Sequence, residues 1–333
     1  MQIEETKIRG RRLGDINYRY APGLTVVTAY YNPMGYKTRR HNYELFANAL
    51  HRSGIPLLTV ECAFGEQPYD LPESMDVVRV RGKSPLWQKE RLISLGISWL
   101  PASCKYVAWM DCDLVHTNPR WAQETVARLQ QVPVVQVFEC CTRLPRHYAE
   151  ANCGPGDRFP SFGAVAGRDP SVLASGEFPD HGHTGFGWAA RREVLDRHGL
   201  YEYAVAGSAD HFMAHAALGD YWSPCIERHM AGMPHIIRHF RDWAEPFYGT
   251  VQGKLGVVPG EVLHLWHGDF ENRRYIARHV ELANLQFDPY TDLSAPPGKP
   301  LELRADTGKR GLVEWFSSYF ASRLEDGAQP VTV

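Results

Sequence analysis

Along the first half of the chain two periods of apolar positions take turns. Residues 24–31 (LTVVTAYY) are a run of β-branched and aromatic side chains closed by Asn32, Pro33 and Gly35, the signature of a strand followed by breakers. In residues 38–53 the apolar positions Tyr43, Phe46, Ala47 and Leu50 fall at helical spacing, with Gly54 as a stop. The same logic predicts strands at 56–61 and 76–81, and a helix at 86–100 whose Leu92, Leu95, Gly96 and Trp99 share a face. A strand at 106–110 follows. Asn118 and Pro119, a cap followed by a proline at the first helical position, open a helix to about residue 130, and 134–138 is a fifth strand. Strands alternating with helices predict an α/β protein with a doubly wound, mostly parallel central sheet, flanking helices and a ligand crevice at the carboxyl ends of the strands. Four points of that crevice are expected: Ala29, Tyr30 and Tyr31; Glu61; the turn with Gln88, Lys89 and Arg91; and Asp111 with Asp113.

Past residue 139 the pattern dissolves. Residues 139–183 are rich in Gly, Pro, Asp and Arg, as in an active-site loop or lid. Residues 183–189 (HTGFGWA) mix glycines with aromatics, so that backbone at Gly185 and a ring such as Trp188 can approach a flat ligand closely. Ser208 is placed to cap a helix with Asp210 in its first turn, where the helix dipole favours an ionised carboxylate. A short apolar run at 262–266 leads into His267 and Gly268, then into a helix carrying Arg273, Arg274, Tyr275 and Arg278, read as a solvated face. Beyond about Phe287 the tail is Pro, Gly and charge, except for an amphipathic stretch at 312–324 suited to docking on the domain or on a partner.

Composition narrows the function classes. With 36 basic and 38 acidic side chains in 333 residues, no global field advertises nucleic acid or membrane. No apolar run approaches the ~18 residues of a membrane span, and the N-terminus lacks the apolar centre of a signal peptide, so a cytoplasmic protein is expected. Cys62, Cys104, Cys112, Cys140, Cys141, Cys153 and Cys225 form no C-x-x-C, which favours reduced thiols over a disulfide framework or a zinc knuckle. The chain has fifteen histidines, most of them in the second half, where metal chemistry is to be sought.

The candidate chemistry starts at residues 106–118 (YVAWMDCDLVHTN). Two carboxylates one residue apart at a strand's end repel unless a cation joins them, and Mg2+ or Mn2+ takes oxygen ligands and bridges to phosphate. That reads as a metal-diphosphate clamp, although D-x-D after a strand is also an ordinary solvated turn. No G-x-G-x-x-G follows the first strand and no P-loop occurs. Two other classes compete. His211 and His215, at i and i+4, share a helix face and fit a zinc metallohydrolase, but HFMAH lacks the glutamate of H-E-x-x-H; a noncatalytic sugar-nucleotide or glycan-binding module is the other.

Taken in order, the first strand, KYVAWMDCD, HTGFGWA with GSADH some twenty residues on, and HLWHG resemble GT-A-fold glycosyltransferases over roughly residues 24–280. The resemblance implies a Rossmann-like, GT-A-like catalytic domain at 1–285, with a nucleotide-sugar half at about 20–140 and an acceptor half at 141–285, plus a C-terminal extension at 286–333. It implies metal-dependent transfer, by Mn2+ or Mg2+, of a sugar from a nucleoside-diphosphate sugar, first of all a UDP-sugar, to an acceptor hydroxyl with inversion. By position Asp113 is the principal metal ligand, Asp111 touches metal through water or contacts the ribose, His267 completes the shell with His264 as second choice, and Asp210 is the base. Glu61 is expected beside the uridine, with Ala29, Tyr30, Tyr31, Gln88, Lys89, Arg91, Gly185 and Trp188 around the donor. The sequence departs from the commonest pattern at Ala209, where an acidic residue usually precedes the base. The acceptor stays open among a glycan, a lipid-linked sugar, a protein side chain and a modified DNA base.

Overall fold

A computed structural model describes residues 7–8, 11–12, 16–148, 157–171 and 180–327. Cys153 and part of the loop expected at 139–183 lie outside the described residues. The elements that position the site are β1 (Leu24–Tyr30), α1 (Lys37–Arg52), β2 (Leu57–Phe64), β3 (Val77–Gly82), α2 (Lys89–Trp99), β4 (Tyr106–Met110), β5 (Leu114–His116) and α3 (Trp121–Leu129). They continue with β6 (Val134–Gln136), β7 (Cys140–Arg143), β8 (Arg158–Pro160), α4 (Phe162–Arg168), β9 (Gly187–Arg191), α5 (Arg192–His198), α6 (Ala209–Ala217) and α7 (Pro224–His229). Last come α8 (Pro234–Val251), β10 (Leu255–Val257), β11 (Glu261–His264), α9 (Ala277–Asn284) and α10 (Arg310–Ser322).

Seven strands form the central sheet in the order β10-β6-β9-β4-β1-β2-β3. All its pairings are parallel except those of β9, which runs antiparallel to both β4 and β6. The fold is therefore the expected mixed α/β architecture with a mostly parallel sheet. Its strands read as unbroken apolar runs because both faces are covered. Val27, Ala29 and Tyr31 join one core with α2, α6, α8 and α10, while Leu24, Val26 and Tyr30 join a second with α1 and α3. A second, four-stranded sheet has the order β8-β7-β11-β5.

Local signals misplaced two helix starts. Asn118 Oδ1 accepts from the Arg120 backbone N–H at 2.9 Å, forming a turn ahead of α3 rather than its cap. Arg273 and Arg274 precede α9, in and just after a short 3-10 turn. The amphipathic tail docks on the domain: Phe316 and Phe320 of α10 share the core of Tyr31, and the Tyr36 hydroxyl donates to the Phe320 carbonyl at 3.1 Å. Among the described residues no helix is long and apolar enough to cross a membrane.

Candidate functional site

β4 leaves the central sheet after Met110, and the chain enters the second sheet as β5 at Leu114, so Asp111, Cys112 and Asp113 make the bend between the two sheets. The bend is fastened on both sides. The Asp111 N–H donates to the Phe186 carbonyl at 2.8 Å, and the Leu265 N–H donates to the Asp113 carbonyl at 2.9 Å. These bonds join three distant motifs at the rim of a cleft lined by Ala29, Tyr31, Lys89, Asp111, Asp113, Gly185, Phe186, Asp210, His264 and His267.

Register does the rest for the histidines. His264, the last residue of β11, pairs with Leu114, which sets its ring beside Asp113. His264 Nε2 lies 3.8 Å from Asp113 Oδ1, and His267 Nε2 lies 3.1 Å from Asp113 Oδ2 and 3.2 Å from His264 Nε2. Ligand atoms of Asp113, His264 and His267 all fall within 4.8 Å of one another. Both imidazoles are neutral near pH 7, since burial drives the His264 pKa well below its ordinary value and that of His267 down to about 4. Behind His267, Glu325 stands 3.6 Å from Nδ1, beyond hydrogen-bond distance but on the side from which a carboxylate orients a metal-bound histidine.

This set fits a divalent cation. Burial, reinforced by Asp111, pushes the Asp113 pKa up to about 7, and its Oδ1 is buried with no hydrogen-bond partner among the described residues. A carboxylate held so lacks positive charge, and the oxygen and nitrogen donors suit such an ion. Arg273 and Arg39 offset only part of this lack, the Arg273 guanidinium donating to His267 Nε2 at 2.9 Å. Asp111 stands outside the group, its Oδ1 accepting from Lys89 at 2.9 Å.

The same ammonium reaches Asp210, donating to Oδ2 at 2.5 Å. Burial opposes the charge on Lys89, but Asp111, Asp210 and Glu90 together raise its pKa well above the ordinary value. The Asp210 pKa is also raised, by burial first, with Lys89 pulling it back and Asp111 adding to it. The helix dipole expected to dominate Asp210 is thus outweighed by desolvation. Ahead of Asp210, Ser208 sits in the left-handed region (φ 72°) and its side chain does not cap α6. Its Oγ instead accepts from Arg278 at 2.8 Å. Gly207 (φ 89°) makes this possible, because a Cβ there would meet the Arg278 guanidinium at 3.0 Å.

Cationic side chains missing from the expected site complete the walls. Arg39, Arg143, Arg273, Arg278 and Arg323 all line the cleft with Lys89, against three aspartates. Arg278 is 2 % exposed and donates to the Tyr319 hydroxyl at 2.9 Å, so it is no solvated face; Arg274 alone of that group turns away, to Glu281. Arg323 and Arg39 grip Glu325 at 2.6 and 3.2 Å, and although burial works against its charge they hold the Glu325 carboxyl well below the usual range. Gly268 admits this tail: a Cβ there would come 2.7 Å from the Arg323 carbonyl oxygen.

Five expected residues do not face the cleft. Strand alternation turns Tyr30 to the opposite side of the sheet, where its hydroxyl bonds Asp70. Glu61 is occupied by backbone, its Oε1 accepting from the Asp70 and Leu71 N–H groups at 2.5 and 2.9 Å. Gln88, wholly buried, accepts from the Leu301 N–H at 2.8 Å, and Arg91 donates to Glu202 and to the Pro296 and Lys299 carbonyls. Trp188 is core, its Nε1 donating to the Thr184 carbonyl. Phe186 (φ 80°) takes the place expected for it, stacked between His183 and His264. His211 and His215 join a second cluster with His181 and Cys225, and His211 is also part of the cleft wall.

No protein-family model and no curated protein sequence matches the chain. Among solved structures, a Drosophila β1,4-galactosyltransferase 7 variant in complex with manganese, UDP-Gal and xylobiose is 12% identical at a TM-score of 0.36, over 88% of this chain and 98% of that one. Mannosyl-3-phosphoglycerate synthase from Rubrobacter xylanophilus is 12% identical at 0.36, over 85% and 86%. The 4-diphosphocytidyl-2C-methyl-D-erythritol synthase of Anaerococcus prevotii is 9% identical at 0.31, over 72% and 90%. Scores below 0.5 decide nothing about this chain. Its fold stands on its own strand order and its chemistry on its own side chains.

Proposed function

We propose that the cleft moves a sugar from a nucleoside-diphosphate sugar, a UDP-sugar first of all, to an acceptor hydroxyl with inversion at the anomeric carbon. The observation that carries this reading is the convergence of Asp113, His264 and His267 in one cleft with Asp210 and six cationic side chains. Asp113, His264 and His267 would hold a Mn2+ or Mg2+ ion, whose chemistry when bound is to offset charge on a departing diphosphate.

The chain's own groups perform the remaining work. Arg39, Arg143, Arg273 and Arg323 give the cleft the positive potential that binds diphosphate oxygens, and guanidinium forks match them in geometry. Asp210 takes the proton of the acceptor hydroxyl as that oxygen bonds the anomeric carbon and the bond to diphosphate breaks. Lys89, bonded to both Asp111 and Asp210, keeps the base ionised in a buried place and fixes its direction. A protonated Asp210 could not accept, so the ammonium is part of the machinery.

A thermal-shift screen of UDP, GDP, CDP and dTDP sugars with and without Mn2+ tests the reading, because a ligand that binds the native state raises Tm. A metal-dependent rise with at least one nucleotide is expected. No metal-dependent rise with any of them would overturn it.

A further inference from the structure

Behind the cleft wall, to which His211 belongs, four metal-binding side chains meet in the interior. His181 precedes β9, His211 and His215 stand one turn apart on α6, and Cys225 lies on α7. All four are at most 3 % exposed, and one ligand atom from each lies within 4.8 Å of the others. Cys225 Sγ is 3.4 Å from His211 Nε2 and 3.5 Å from His181 Nε2. A tetrahedral zinc ion with Zn–S of about 2.3 Å and Zn–N of about 2.1 Å requires S···N edges of about 3.6 Å, so these separations already match such a site.

The surrounding groups orient the rings as metal sites do. His215 Nδ1 lies 2.6 Å from Asp220 Oδ2, and its Nε2 is buried with no hydrogen-bond partner among the described residues. His181 Nδ1 lies 2.9 Å from the Gly182 carbonyl, which puts the proton there and turns the Nε2 lone pair toward Cys225. A carboxylate or carbonyl on the far nitrogen is the usual second partner of a metal-bound histidine. Ring packing alone would account for the tilted and edge-on contacts among the three imidazoles, but not for the convergence of two ring nitrogens on one thiol.

We propose that His181, His211, His215 and Cys225 bind one Zn2+ ion in a closed, four-ligand site that ties α6 and α7 to the segment before β9. Binding forms one Zn–S and three Zn–N bonds, and the Cys225 thiol proton leaves to solvent. The resulting single positive charge faces Asp220. A thiolate with three imidazoles selects zinc over Mg2+ or Mn2+, which prefer oxygen. Four protein ligands leave no position for a water, so this ion is structural and the metallohydrolase reading of His211 and His215 loses its nucleophile. The ion steadies Asp210, which directly precedes His211, and the proposal stands whether or not the cleft transfers sugar.

The test is elemental analysis of the full chain, purified without nickel affinity, after dialysis against Mn2+. One zinc per chain is expected, falling to less than about a tenth of an equivalent in Cys225→Ser and His215→Gln. Because those variants risk misfolding, the native chain is also stripped with a strong chelator. Tm should fall and be restored by Zn2+ but not Mn2+, and Co2+ should give tetrahedral ligand-field bands with a thiolate charge-transfer band. Asp113→Ala should keep its zinc, which separates this site from the cleft. A chain that carries no zinc and takes up none, with unchanged Tm on chelation, overturns the proposal.

Discussion

The two histidine clusters differ in what surrounds similar rings. His264 and His267 share a carboxylate, Asp113, whose side chain keeps some exposure at the cleft, and a guanidinium stands 2.9 Å from His267. His181, His211 and His215 share a thiol, are at most 3 % exposed although His211 also borders the cleft, and have the Asp220 carboxylate at the far nitrogen of His215. An open, charged set with an oxygen donor can exchange an ion together with a phosphate ligand. A closed set with a sulfur donor can only keep one. Residue type nominates a metal site, but access and the donor atom assign its work.

The comparison breaks if a change in one cluster moves the other. The largest expected effect is Asp210→Asn, which should cut transfer about 10^2 to 10^4-fold in steady-state kinetics with donor affinity kept. Unchanged transfer would remove Asp210 from the chemistry. Asp113→Ala should cost about 10^2 to 10^3-fold and abolish the Mn2+-dependent thermal shift. Next comes Glu325→Gln, which takes away the carboxylate behind His267 and should weaken Mn2+ affinity about 10 to 100-fold in a titration. A Kd equal to that of the native chain would show that Glu325 serves only Arg39 and Arg323.

At neutral pH the smallest effect comes from a buried histidine outside both clusters. His116 stacks on Trp121 at 4.3 Å, and burial pushes its pKa down to about 3. The unfolded chain, near pKa 6.5, takes that proton first, so His116 costs no stability above about pH 6.5 and about 1.4 kcal/mol for each pH unit below it, down to about pH 3. His116→Phe should remove that slope, read as the difference between native and variant unfolding free energies across pH. Parallel curves would refute it.

Much of this was legible in the chain itself. The run before Asp111 ended where it did because strand and turn propensities are local, and the two-residue alternation that hides Tyr30 while turning Ala29 and Tyr31 to the cleft is a local rule as well. His211 and His215 were visible as a pair for the same reason. What the sequence determined, then, was elements, their order, and the carboxylates and imidazoles at their ends. The folded molecule alone decided which of these meet. His181 and Cys225 join His211 only through packing of separate segments, and α10, seated against Tyr31 and Trp87, brings Arg323 to the cleft and Glu325 behind His267. Gln88 and Arg91 looked available at the sheet's edge but were taken by backbone groups of the distant 296–301 segment, and Glu61 by the Asp70 and Leu71 N–H groups just downstream. Such partners are chosen by register and burial over long separations, where a buried polar group must bond whatever the fold brings to it.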